Sequence, residues 1–521
     1  MKRVFKKIIP YSCAALLLTA VSTSCTDNYE EINTDKNAVM SIGAAEMPYL
    51  FSKAISAVRW NDQVGDVFHG DQYAQYLANI SPSWSSDRLI IDMGFAASPW
   101  NAQYTEIVPQ LQTIFEKTDP NSAEYAIANI WWVYTFHRHT DYWGPIPYFK
   151  AGIPGKSVAY DPQDKIYDDF FKRLAAATNV LKTKTSEKPF GSFDLIYGGD
   201  AAKWLKFANT LRLRLAIRIS DVDPARAKTE GEAAFSGGVF TSSPDDDALA
   251  KKNNLDGNSL SAQSDYNEAR MSAAMESVLK GYEDPRISVY FLPALNTNTY
   301  EGVRNGLKTA EVSLPMNVAK AASHVGPRWS SPASGGIASY LSTPANVMST
   351  AEAYLLRAEG AMLGWNMGGT PKELYEGGII NSMKQWGITD QAAINAYVSS
   401  TKTPVAPQDM FNSPALTHVP VKFDPSNAAV QREQIAVQKW LALFPDGREA
   451  WASYRRTHKI FDLYPITTSD NPDIPDPSSK WIRRLPFLTA EYQSNGDETR
   501  KAVSLLNGQD KIITPLWWDK N

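Results

Sequence analysis

Cys13 and Cys25 are the only cysteines in this 521-residue chain, and both fall at its start. Everything that folds beyond them lacks disulfides and cysteine-held metals, so it must be held by buried apolar surface and by polar contacts inside the core. The composition suits that task. Hydrophobic residues make up 43% of the chain and aromatic residues 11%, with 15 Trp among them.

The first residues are of a different kind. Lys2, Arg3, Lys6 and Lys7 precede an apolar run from Ile8 to Val21, which has the length of a secretory signal core and is too short for a comfortable membrane span. Ser22, Thr23 and Ser24 lead into Cys25. The stretch resembles a bacterial lipoprotein signal, cut just before a cysteine that then carries fatty chains. Ordinary secretion, with Cys25 a chance residue, is the alternative. On the lipoprotein reading residues 1–24 are the signal, 25–45 a lipidated tether and 46–521 one binding domain. Asp27, Glu30, Glu31 and Asp35 make the tether acidic, as in surface-export signals of Bacteroidetes lipoproteins. Each acyl methylene buried in the bilayer contributes about 0.8 kcal/mol, enough in several chains to anchor a soluble body.

Loss of the signal takes the formal net charge from −4 to −8. An acidic surface argues against nucleic acid, which needs a basic face. Beyond residue 46 the apolar spacing is helical. Asn121 and Glu124 have capping-box spacing, and Ile127, Ile130, Trp131 and Tyr134 then share a face. Asp200 is placed to cap a helix carrying Trp204, Phe207, Leu211 and Leu215, and a third helix carries Ala351 to Met362 and Trp365. Further helices are predicted over 164–182, 370–386, 429–443 and 446–456, and strand-like alternation is scarce. Between them run long stretches rich in Gly, Ser, Asn and Pro, at 78–101, 238–268, 294–348 and 401–428. Loops of that length are functional or disordered, and disordered ones are poor in Trp.

Several segments together carry a resemblance. Asp141-Tyr142-Trp143-Gly144-Pro145-Ile146-Pro147-Tyr148, Tyr197-Gly198-Gly199-Asp200 with Lys203-Trp204-Leu205-Lys206-Phe207, Asp284-Pro285-Arg286, Ala351 to Glu359, Gln438 to Phe444, Glu449-Ala450-Trp451 and Arg483-Arg484-Leu485-Pro486 occur in this order. In type and order they resemble the SusD/RagB family of nutrient-binding outer-membrane lipoproteins, from Cys25 to Asp519. The resemblance implies a mostly α fold in which tetratricopeptide-like helix pairs scaffold an irregular, loop-rich half. It implies a partner, a SusC-type TonB-dependent barrel, and a place on the outer membrane facing the cell exterior. It implies capture of an oligosaccharide or other nutrient, with no cofactor and no covalent chemistry. The motifs themselves read as structural, with Trp204, Trp440 and Trp451 at core spacings.

Binding residues are therefore expected in the loops. Sugar rings present C–H faces that stack on Trp and Tyr, while amides and carboxylates take up their hydroxyls. Trp84 and Trp329 are the first candidates, then Tyr300 and Tyr340; Trp100, one turn before Tyr104, reads as core. Signals for catalysis are poor. His137 and His139 point about 200° apart on a helix and cannot share an ion there. Gly155-Lys156-Ser157 lacks the first glycine of a phosphate loop. Asp245-Asp246-Asp247 and the Asp470 to Asp476 stretch lack calcium-loop spacing and read as solvated turns. Three classes remain: a surface nutrient-binding lipoprotein, an exported glycan-processing enzyme, and a peptide-binding member of the same family.

Overall fold

Every helix predicted from apolar spacing is present, and a side chain that caps its first turn fixes where most of them begin. The structure, a computed structural model, describes residues 43–520 apart from 61–62, 154, 156, 254–256, 261–264, 331–340 and 479–480. Cys25, the apolar run before it, residues 25–42 of the tether, Lys156 and Tyr340 lie outside the described residues. The principal helices are α1 (Met47–Ser56), α2 (Met93–Asn101), α3 (Val108–Lys117), α4 (Ala123–Trp143), α5 (Gln163–Leu181) and α6 (Ala201–Arg218). After them come α7 (Pro224–Ser236), α8 (Ala273–Gly281), α9 (Thr350–Met362), α10 (Pro371–Gln385), α11 (Gln391–Val398), α12 (Ala428–Leu443) and α13 (Gly447–Thr457).

Asp200 caps α6 as expected, its carboxylate accepting from the N–H groups of Ala202 and Lys203 at 3.1 Å each. The cap of α4 is one residue later than the spacing suggests. Ser122 accepts from the Tyr125 N–H at 3.1 Å, while the Asn121 N–H is drawn to Asp119 at 2.7 Å. Trp365 lies beyond the end of α9, folded back against Gly231 of α7. Helices pack in sequential pairs, α4 on α5, α6 on α7, α9 on α10 and α12 on α13, and α6, α9 and α12 join one pair to the next. Strand is confined, among the described residues, to two short antiparallel pairs. β1 (Leu77–Asn79) runs beside β3 (Ala269–Met271) and β2 (Ala248–Ala250) beside β4 (Ala345–Met348).

Where the helix pairs meet, the core is charged. Arg214 of α6 makes a bidentate pair with Glu352 of α9 at 2.6 Å per bond. One turn on, Arg218 bridges Asp141 of α4 at 2.5 Å and Glu449 of α13. Burial would raise the Glu449 carboxyl, but Arg218 and Arg214 outweigh it and hold the group well below the usual range. Asp141 also accepts from the Tyr167 hydroxyl at 2.7 Å and the Trp518 indole at 2.8 Å. Such pairs add little net stability, yet leaving one member unpaired costs about 3–5 kcal/mol. They fix how the helices sit against each other. Close packing does the same beside them: a Cβ on Gly70 would lie 2.8 Å from the Arg448 nitrogen, and one on Gly447 would overlap Asp71.

The sequence motifs find their purpose in this frame. Arg286 of the Asp-Pro-Arg segment is fully buried. It holds Asp284 at 2.6 Å, Ser382 of α10 at 2.9 Å, the Tyr397 hydroxyl of α11 at 3.1 Å and Gln438 of α12 at 2.9 Å. The Asp245-Asp246-Asp247 turn is a correction. Asp246 and Asp247 are buried rather than solvated, because Asp246 accepts from Lys206 at 2.7 Å and Asp247 from the Thr350 N–H at 2.7 Å, at the first turn of α9.

Candidate functional site

A loop cluster forms around β1 and β3. The Val303 N–H donates to Met271 at 2.9 Å, so residues 301–303 flank β3 on the side away from β1. Beneath them Ala78, Ile80, Val303, Leu307, Val312 and Ala322 bury a small apolar cluster. This joins the early loop to the loops that follow the Asp-Pro-Arg segment, although the two are far apart in sequence.

Trp84 stands on the early loop. The Asn79 amide shapes its base, donating to the carbonyls of Ser81 at 3.0 Å and Trp84 at 2.8 Å and accepting from the Ser81 N–H at 2.9 Å. The half-buried indole rests on Phe68 and Phe95, with ring centroids 5.0 Å and 5.5 Å away. Its N–H donates to Glu268 beside β3 at 3.1 Å. A ring held in this way loses little freedom when a ligand stacks on it, which favours binding.

Tyr300 is half-buried on the opposite flank, next to Glu301, whose N–H donates to Ser323 Oγ at 3.0 Å. Sequence reasoning missed Tyr266, two residues before Glu268 and 55% exposed. Its setting in an Asn- and Ser-rich loop was the available signal, as it was for Trp84.

Trp329 departs from expectation. Its ring is only 1% exposed, packed against Trp386 at 5.5 Å and Phe444 at 5.8 Å. The loop that carries Trp329 is held by a contact distant in sequence: the Gly326 N–H donates to the Tyr290 carbonyl at 2.7 Å, and the Gly326 carbonyl accepts from the Trp329 N–H at 2.9 Å. Trp329 offers no open face in this structure. Trp100, Trp204, Trp440 and Trp451 are core residues, as their spacing predicts.

The histidines of α4 are bound separately. His137 Nδ1 lies 3.3 Å from the Val133 carbonyl, and burial and then Arg214 hold its pKa well below the ordinary value. His139 meets the carbonyls of Thr135 and Pro99 at 3.0 Å each, and burial pushes it down to about 4. Among the described residues no group of three His, Cys, Asp or Glu side chains is arranged to hold a metal, and no helix is long and apolar enough to cross a membrane.

Comparison with known proteins identifies the fold. A chitin-binding SusD homolog from Flavobacterium johnsoniae is 33% identical; the match covers 92% of this chain and 99% of that one, with a TM-score of 0.82. A SusD-like protein from Bacteroides thetaiotaomicron is 30% identical, covering 91% and 99%, with a TM-score of 0.80. A further chitin-binding protein is 29% identical, covering 91% and 100%, with a TM-score of 0.73. No curated protein sequence matches. The helix pairs are the tetratricopeptide-like scaffold of the fold these structures share. Residues 25–519 match the family described as SusD-like, Susd and RagB outer membrane lipoprotein, and the chain belongs to it.

Proposed function

We propose that this protein captures a glycan at the cell surface and delivers it to a SusC-type TonB-dependent barrel in the outer membrane, without turning it over. On this reading residues 1–24 are removed, Cys25 carries the lipid, and residues 25–45 tether a binding body that faces the exterior. Family membership supports the lipoprotein and the barrel partner. The chitin-binding relatives support a glycan and make chito-oligosaccharides the first ligands to test. The observation that carries the reading is the mount of Trp84: an indole fixed by Phe68, Phe95 and Glu268 on the same loop cluster as Tyr300 and Tyr266.

Stacking of a sugar on an indole contributes about 1–3 kcal/mol. Trp84→Ala should therefore weaken oligosaccharide binding about ten- to a hundredfold, with only a modest fall in melting temperature from the lost contacts to Phe68 and Phe95. Calorimetric titration of parent and variant with chitohexaose, and with other oligosaccharides if chitohexaose is inert, tests this. Equal affinity in both proteins would remove Trp84 from the site.

A further inference from the structure

The helical run that begins with α2 changes pitch before α3. Between Asn101, the last residue of α2, and Val108, the first of α3, the turns of Ala102–Ile107 widen, and the Val108 N–H donates to the Gln103 carbonyl. Wide turns of this kind recur at functional sites. Here they bring Tyr104 and Thr105 to an open cleft of about 480 Å³, within the size range of ligand sites. Pro147, Ala151, Ile153 and Val158 line one side of it, and Glu491, Ser494 and Asn495 another. Phe95, on which Trp84 rests, precedes Asn101 by about 9 Å along the axis of α2, so the two places share one helix.

The cleft is built from fixed parts. The Tyr104 hydroxyl donates to the Pro147 carbonyl at 2.8 Å, and its half-buried ring packs on Trp100 with centroids 4.9 Å apart. The Trp100 indole and the Tyr160 hydroxyl donate to the two oxygens of Glu491, at 3.2 Å and 2.8 Å. The carboxylate is thereby held in place with acceptor capacity left on each oxygen. Asn495 locks the facing chain, donating to the Val158 carbonyl at 2.8 Å and accepting from the Val158 N–H at 3.0 Å. The polar groups of the cleft are open to solvent: Asn101, Thr105 and Ser494 are exposed and Glu491 is half-buried.

These accessible atoms select the ligand chemistry. The Thr105 hydroxyl donates to the Asn101 carbonyl at 2.8 Å and the Ser494 hydroxyl to the Ala490 carbonyl at 2.9 Å, which leaves both oxygens as acceptors beside Glu491. The Asn101 amide adds donors and an acceptor. A ligand must therefore bring several hydrogen-bond donors. An anion is repelled by Glu491, and a hard metal ion finds one carboxylate where it needs several oxygen ligands. An ammonium group answers Glu491 alone. The hydroxyls of a sugar reach several acceptors at once, and its C–H face suits the Tyr104 ring. We propose that this cleft is a second carbohydrate site, in which a neutral pyranose lies on Tyr104 and donates hydroxyl protons to Glu491, Thr105 and Ser494. The proposal rests on the glycan reading above.

Crystals of the parent protein soaked in turn with chitobiose, cellobiose, lactose and the fully deacetylated, cationic form of chitobiose test it. Calorimetric titration of the same sugars into Trp84→Ala, with and without Asn101→Ala and Thr105→Ala, completes the test. We expect a neutral disaccharide in the cleft with a hydroxyl within hydrogen-bond distance of Glu491. In the Trp84→Ala background, the two added substitutions should weaken the remaining binding about tenfold. An empty cleft while sugar sits at Trp84 would overturn the second site and leave the glycan reading intact. A sugar seen in the cleft whose solution affinity ignores Asn101→Ala and Thr105→Ala would mean binding at crystal concentration only, and would also overturn it. Occupancy by the cationic sugar alone would show an amine site instead. No sugar at either place would overturn both readings. The soak uses the parent protein, so it decides even if a variant fails to fold.

Discussion

Single residues separate the proposed binding surface from the core. Trp84 and Trp329 sit in loops of similar composition, but only Trp84 keeps part of its ring open, whereas Trp329 is enclosed by Trp386 and Phe444. Trp329→Ala should leave a cavity and cost about 3–5 kcal/mol, read as a lower denaturation midpoint with an unchanged slope. Retained stability would place the ring outside the core. Asp87 gives a pH signature. Burial raises its pKa from 3.8 to about 6, against the N–H groups of Asn79 and Gly306 and the charge of Arg88, which lower it. A carboxyl raised on folding stabilises the folded state most below its unfolded pKa, and that contribution is lost as the pH climbs through the folded value. Asp87→Asn should therefore be more stable than the parent at pH 7, by about 1–3 kcal/mol, with the gap closing between pH 6 and pH 4. A gap that stays constant over that range would contradict the assignment.

At the scale of elements, the motifs act as clamps between helices. Removing Asp284 leaves Arg286 buried without its carboxylate, although Ser382, Tyr397 and Gln438 remain beside it. Asp284→Ala should cost on the order of 3–5 kcal/mol and loosen α10, α11 and α12 together, visible as faster amide exchange in all three. Exchange confined to α8 would show that the clamp is not shared. Much of this level was legible in the sequence, because helix spacing and capping residues are local. Asp200 caps as predicted, and the one-residue error at Ser122 arose because Asp119 competes for the Asn121 N–H. Burial of Asp246 and Asp247 was not legible. Their partners, Lys206 and Thr350, are brought in by packing rather than by neighbouring sequence.

Over the whole molecule, the order of motifs identified the fold, while the site could be located only to loops. Which loop aromatic stays open depends on long-range contacts such as Trp84 to Glu268 and Gly326 to Tyr290, and spacing carries no trace of them. The anchor has its own test. Expressed without the barrel partner, Cys25→Ala should release the protein from membranes, since no described helix can cross one, and unchanged membrane fractionation would defeat the lipid assignment. The central claim is glycan capture without turnover. Its most direct measurement is titration of the purified protein against matched panels of oligosaccharides, chito-oligosaccharides first, and peptides, with the sugars recovered and sized afterwards. The account predicts saturable binding of a glycan that is recovered intact; binding confined to peptides, or shortened sugar products, would contradict it.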